Sequence, residues 1–143
     1  MGGSLAGCDS WFAQSASQVS AHYGVGLRGD VHQYVSLADG AWANGVLEAG
    51  NTWPGPAGVN PNYLTVSIET EDNGSNLTPV SDAQYAAVLA VGRLILRECP
   101  TITLLVSHRV ISPRSRAHCC GERWTESGRF DALAAALGLQ ALA

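Results

Sequence analysis

His108 and Cys119 are the side chains best suited to hold a metal: an imidazole and a thiol eleven residues apart, within SHRVISPRSRAHCCGERW at residues 107–124. Imidazole nitrogen and thiolate sulfur are donors that zinc takes in tetrahedral sites, so zinc is the ion this pair suits. Two donors are half a site. The segment follows TITLLV at residues 101–106, an apolar, β-branched run that reads as a buried strand. His108 then stands where the strand ends and can face a cleft.

The elements that must position this pair can be read in order. Residues 9–18 carry Trp11, Phe12 and small residues at helical spacing, and Val31 to Val35 is a short strand after the turn Arg28-Gly29-Asp30. Residues 47–62, with Pro54, Pro56 and Pro61, can propagate neither ladder nor helix and form a loop of the kind that borders a groove. Ser81 is an N-cap with Asp82 in the first turn; Tyr85, Val88, Leu89, Gly92 and Ile95 make one stripe to Leu96, and Pro100 closes the helix. A last helix from Glu126 to Leu137 presents Phe130, Leu133 and Leu137. Alternating helices and strands indicate an α/β fold, a central mixed β-sheet flanked by helices.

Five stretches in order resemble the zinc-dependent N-acetylmuramoyl-L-alanine amidases, which share their fold with the peptidoglycan recognition proteins. SAHYGVGLRGDVHQYV (20–35) resembles the family's strand–turn–strand hairpin and AWANG (41–45) the tryptophan motif that follows. SIETE (67–71) is similar to its SIGIELEG strand, SDAQY (81–85) to the start of its long helix, and CCGERW (119–124) to its CPGxRW, with Cys120 in place of Pro. The resemblance spans nearly the whole chain and implies one amidase-like domain over 1–143, similar to phage endolysins and bacterial muropeptide amidases.

That resemblance also implies roles. His108 and Cys119 take the places of the second and third zinc ligands, and Glu69 that of the general base, on a strand where Glu69 and Glu71 share one face. His22 sits in a motif the family keeps near its site, where a substrate contact and a hydrogen-bonded core histidine are the two readings; Trp42 and Asn44 suit a groove for the sugar or stem peptide, since aromatic faces and amides serve such recognition, and Trp42 suits the core equally. Many members hold the oxyanion with a Lys two residues before the third ligand; here that residue is Ala117, and Arg116 or His118 is the substitute, Arg116 with its planar fixed donors first. The family's first zinc ligand is a His ending a strand that precedes residues resembling Gly3 to Trp11. The expectation is therefore a domain incomplete at its N-terminus.

Composition sets outer bounds. The 143 residues, 46% hydrophobic, suffice for one core. A net charge of −4 offers no basic face for nucleic acid. No run of about 18 apolar residues and no signal peptide is visible, so the expectation is a protein with no membrane partner, held in the cytoplasm until release and acting then on the cell wall. Cys8, Cys99, Cys119 and Cys120 are too few and too uneven for a disulfide framework; Cys8 and Cys99 read as small buried hydrophobes. Zinc-dependent hydrolysis of the bond between N-acetylmuramic acid and L-alanine, by a monomer on peptidoglycan or muropeptides, is the expected function. The alternatives are a peptidoglycan-binding module without hydrolysis and an inactive fragment.

Overall fold

The computed structural model describes residues 3–143. The first helix, α1 (Leu5–Phe12), is opened by Ser4, whose Oγ accepts from the Gly7 amide at 3.1 Å. It starts before the expected Asp9 because Leu5 and Cys8, three apart, are the residues it buries, while Trp11 stays 53% exposed. Beyond Phe12 lie a 3-10 turn (Ser15–Ser17) and a left-handed Gln18, so the helix expected through Gln18 ends early.

Strands β1 (Tyr23–Val25) and β2 (Val31–Gln33) form the expected antiparallel hairpin. Gly29 turns it with φ +88°, and a Cβ there would stand 3.0 Å from the Ala83 carbonyl, so only glycine suits the position. β1 is buried throughout and β2 is an exposed edge. After the long loop, β3 (Ile68–Thr70) pairs in parallel on the other side of β1, with Gly24 opposite Glu69.

Helix α2 (Asp82–Glu98) begins at the predicted cap: Ser81 Oγ accepts from the Gln84 amide at 3.0 Å and donates to the Leu27 carbonyl. Its buried stripe is Gln84, Val88, Val91, Gly92 and Ile95, rotated from the expected one, with Tyr85 and Leu89 half-buried at its margin. The rotation follows from Gln84, which goes inward to serve backbone carbonyls. β4 (Leu104–Val106) and the 3-10 turn His108–Val110 follow.

The single helix expected from Glu126 to Leu137 is two: α3 (Glu122–Thr125) and α4 (Arg129–Leu137), separated at left-handed Gly128. The chain then forms β5 (Gln140–Leu142), unforeseen in the sequence, parallel to β4. The strands thus lie in two pieces, a mixed sheet β2-β1-β3 and a pair β4-β5. Val25, Val88, Trp124, Phe130 and Leu133 form the core beneath them, and Tyr23, Val91 and Ile95 a second cluster. Among the described residues no helix is long and apolar enough to cross a membrane.

Candidate active site

A buried polar network fixes the strand that carries Glu69. Gln84, fully buried, donates from Nε2 to the carbonyls of Val25 and Glu71 at 3.0 Å each, and its Oε1 accepts from Arg123 Nη1 at 3.0 Å. Arg123 Nη2 reaches Thr70 Oγ1 at 3.0 Å and the Thr70 carbonyl at 3.3 Å, while Trp124 Nε1 donates to the same Oγ1 at 3.1 Å. A guanidinium supplies enough directed donors to pin one strand end from two sides. Burial holds the Arg123 pKa below its ordinary value, opposed by the carboxylates of Asp72 and Glu71. Glu71 itself turns away from the site, its Oε2 accepting from the Leu27 amide at 2.9 Å, so it braces the hairpin.

Glu69, His108 and Cys119 meet at the walls of two adjoining cavities, of about 390 and 840 Å³, each lined by all three residues. Glu69 comes from β3, His108 from the turn after β4, and Cys119 from the end of the Arg-rich loop. The Glu69 charge acts on both partners, favouring the imidazolium of His108 and opposing the thiolate of Cys119. Burial outweighs it at His108, whose pKa is held below the ordinary histidine value; burial also pushes the Cys119 thiol up. Cys120 packs against the core and its thiol is pushed up to about 11, by burial first and by Cys119 next.

The His108 ring is oriented by its second nitrogen. Nε2 lies 3.1 Å from the Asn44 carbonyl, an acceptor only, so the proton sits on Nε2 and the Nδ1 lone pair remains for a ligand. Asn44 is itself held from both ends, since its amide N–H donates to Asn62 Oδ1 at 2.8 Å and its Nδ2 to Thr65 Oγ1 at 2.7 Å. Asn44 thus positions His108, a different role from the expected substrate contact.

His22 is 2% exposed. Its Nδ1 accepts from the Ser67 amide at 3.1 Å and its Nε2 donates to the Asp39 carbonyl at 3.1 Å, which makes it a tie between β1 and β3. Both ring nitrogens are engaged, so the structure places it in the fold's interior, away from the substrate contact expected of it.

Trp42 is 54% exposed and borders the larger cavity, which Arg116 and Trp11 also line. Arg116 is exposed, and its charge bears on both His108 and Cys119. Two contributors escaped the sequence reading. Asn62, 4% exposed, accepts the amides of Ala43 and Asn44 together; the turn-forming Asn-Pro-Asn at 60–62 was the available signal. Trp11, read only as part of a helical spacing, borders the larger cavity.

For zinc, the donors are right in kind and too few in number. Among the described residues no group of three or more His, Cys, Asp or Glu side chains is placed to hold a metal. A catalytic zinc takes three protein ligands and leaves one position for water, so His108 and Cys119 alone do not fit it.

Buried β1 flanked by β2 and β3, a long capped helix beneath, and a cleft bordered by His108, Cys119 and Glu69 at the strand ends define an α/β fold with its candidate site at one end of the strands. The sequence profile described as N-acetylmuramoyl-L-alanine amidase matches residues 1–122, and the chain belongs to that family. It is similar to the 1,6-anhydro-N-acetylmuramyl-L-alanine amidase AmpD of Haemophilus influenzae, 35% identical over 101 residues, 69% of this chain and 50% of the relative. The chain therefore spans about half the length of that curated relative. A crystal structure of a selenomethionine derivative of AmpD superposes with a TM-score of 0.64 at 26% identity, over 88% of this chain and 73% of the other. The AmiD amidase of E. coli, solved with anhydro-N-acetylmuramic acid-L-Ala-D-γ-Glu-L-Lys, gives 0.73 at 21% identity, over 96% and 54%, a likeness in fold.

Proposed function

We propose that this chain serves zinc-dependent hydrolysis of the amide joining the lactyl group of N-acetylmuramic acid to L-alanine, in muropeptides released from peptidoglycan. The observation that carries the reading is the meeting of Glu69, His108 and Cys119 at one cleft, on three separate segments. The likeness to AmpD, named for that bond in an anhydro sugar, favours a muropeptide substrate over intact wall.

The residues divide the chemistry between them. Glu69 takes the proton from the attacking water and returns it to the departing nitrogen of L-alanine. Arg116 reaches over the rim and offers its N–H donors to the carbonyl oxygen as negative charge develops there. Trp42 lends the face of its half-exposed indole to the sugar ring. His108 and Cys119 are donors of the kind zinc takes, two of the three that a catalytic zinc site uses. A further donor is needed to retain it.

That shortage favours a second reading, a module of the same fold that binds muropeptides without cleaving them. Mass spectrometry of a muropeptide incubated with the protein and zinc separates the two. Release of an intact peptide with a free L-alanyl amine supports hydrolysis. Uncleaved muropeptide together with a saturable change in Trp fluorescence supports the binding module, and cleavage within the sugar contradicts both.

A further inference from the structure

Arg116 stands on an exposed stretch of chain. Residues 114–118 are all exposed, and between buried Ser112 and half-buried Cys119 the backbone turns without joining a helix or a strand. Such a stretch keeps one shape only if another part of the chain holds it, because water serves its peptide groups almost as well. The Arg116 amide closes a turn onto the Ser112 carbonyl at 2.9 Å, and the amides of Arg114 and Ser115 inside that turn need acceptors from elsewhere. The Glu48 carboxylate supplies one: its Oε2 accepts from the Arg114 amide at 2.7 Å and from the Ser115 amide at 3.0 Å. At the start of a helix the residue just before the turn does this. Here the acceptor lies 66 residues away from Arg114 in the chain, and it is charged, which makes the bonds stronger than neutral ones.

Glu48 is itself held in place. Its amide donates to the Ile111 carbonyl at 3.1 Å, the Thr52 amide to the Val110 carbonyl at 3.0 Å, and Ser112 Oγ to the Val46 carbonyl at 3.2 Å. Two loops thus run side by side, joined by backbone at their middle and by the Glu48 carboxylate where the Arg-rich stretch begins. The Ser115 hydroxyl first, then the Ser115 and Arg114 amides, hold the Glu48 pKa below its ordinary value, so the carboxylate is charged at neutral pH. We infer that Glu48 is a positioning residue: its carboxylate fixes the turn that carries Arg116, and so sets where that guanidinium stands at the larger cavity, which Arg116 lines. The positioning rests on the role proposed for Arg116, whereas the clasp between the loops does not. A donor fixed beforehand needs no ordering when the substrate arrives. With the turn released, Arg116 keeps its charge and loses its fixed position. A guanidinium also donates to a carbonyl oxygen and attracts carboxylates of a stem peptide in the bound state, so its placement shows in affinity without any reaction.

The test compares wild type, Glu48→Ala, Arg116→Ala and the double variant, all without added metal so that nothing is turned over. Hydrogen–deuterium exchange on the free proteins reads the clasp: the amides of Arg114 and Ser115 should exchange ~10-fold faster or more in Glu48→Ala. Quenching of Trp fluorescence, to which Trp11 and Trp42 beside the cavity contribute, reads the affinity for anhydro-N-acetylmuramic acid-L-Ala-D-γ-Glu-L-Lys. Arg116→Ala should weaken binding by ~10-fold, as expected for one hydrogen bond from a charged donor, and Glu48→Ala by ~3–10-fold. In the double variant the Glu48 substitution should add nothing, because the group it positions is gone. Glu48→Gln keeps the shape and an acceptor and loses the charge; it should show both effects at smaller size, and it carries the test if the alanine variant does not fold. Wild-type exchange at the two amides in a folded Glu48 variant overturns the clasp. A full further loss of affinity in the double variant overturns the positioning, since Glu48 then acts by another route, and so does wild-type affinity in Arg116→Ala. A wild type that does not bind the muropeptide fails the proposed function and the positioning with it, while faster exchange in Glu48→Ala still upholds the clasp.

Discussion

Replacing Gln84 by Leu keeps the volume of a fully buried side chain and deletes its three hydrogen bonds. The Val25 carbonyl loses least, because it still accepts from the Glu71 amide at 2.9 Å. The Glu71 carbonyl loses the Gln84 donor, and Arg123 Nη1 keeps only a long contact of 3.4 Å to the Thr78 carbonyl. A hydrogen bond to a charged group contributes ~1.5–3 kcal/mol and a neutral one ~0.5–1.5, and a buried group left unsatisfied costs about 1–3 kcal/mol. Less a small gain from the more apolar side chain, Gln84→Leu should lose about 3–5 kcal/mol, a large part of the ~5–15 kcal/mol of a typical domain. Equilibrium urea denaturation followed by far-UV circular dichroism measures it, with an unchanged m-value showing that the compact states are the same. Arg123→Met should cost a similar amount, and the double variant clearly less than the sum, because removing both partners leaves fewer orphaned groups. A loss under about 1 kcal/mol, or additive losses, refutes the network as the clamp on β3.

Three further outcomes follow from other contacts. Asp9 is held below its ordinary pKa first by a hydrogen bond from His32 and then by one from Tyr34, so its stabilising effect is present above the unfolded carboxylate value of about 3.9 and is lost as pH falls through the lower folded value. Asp9→Asn should therefore flatten the acid limb of a melting-temperature profile, and an identical limb counts against the contact. Burial pushes the thiols of Cys8 and Cys120 to about 11, so at pH 8 roughly one molecule in a thousand carries either thiolate, and iodoacetamide should label both far more slowly in the folded protein than in urea, read by peptide mapping. Gly24→Ala should destabilise by ~1–3 kcal/mol, because its Cβ would meet Leu5 Cδ1 and Tyr34 Oη at 2.8 Å; a melting temperature at or above wild type would show that both neighbours yield freely.

The features legible in the sequence were those set by local chemistry. The Ser81 cap, the Gly29 turn and the Pro-rich loop follow from the intrinsic preferences of a few adjacent residues; the first two stand where expected, and the loop does as far as Asn60, whose side chain caps a 3-10 turn at Pro61–Tyr63. What escaped depends on distant partners. Gln84 looks like an ordinary surface residue of an amphipathic helix until the carbonyls of Val25 and Glu71 arrive to use it, and its burial turns the whole stripe. β5 is three residues long, too short for a period-2 pattern, and exists because β4 offers an edge. Gly128, inside the stretch expected as one helix, takes a left-handed conformation that ends one helix and starts another. In the site, the donor types and the carboxylate could be named from the order of motifs. The ring orientation of His108 could not, because the Asn44 carbonyl that sets it is 64 residues away.

The central claim is that Glu69 handles the proton at an amidase site, and comparing wild type with Glu69→Gln tests it most directly. The measurement is the rate at which a muropeptide yields free stem peptide in zinc-containing buffer. The substitution preserves shape and removes the proton acceptor, so release should fall by ~10²–10⁴-fold while the melting temperature and muropeptide affinity stay close to wild type. Equal rates for the two proteins, or no release from wild type, would contradict the account.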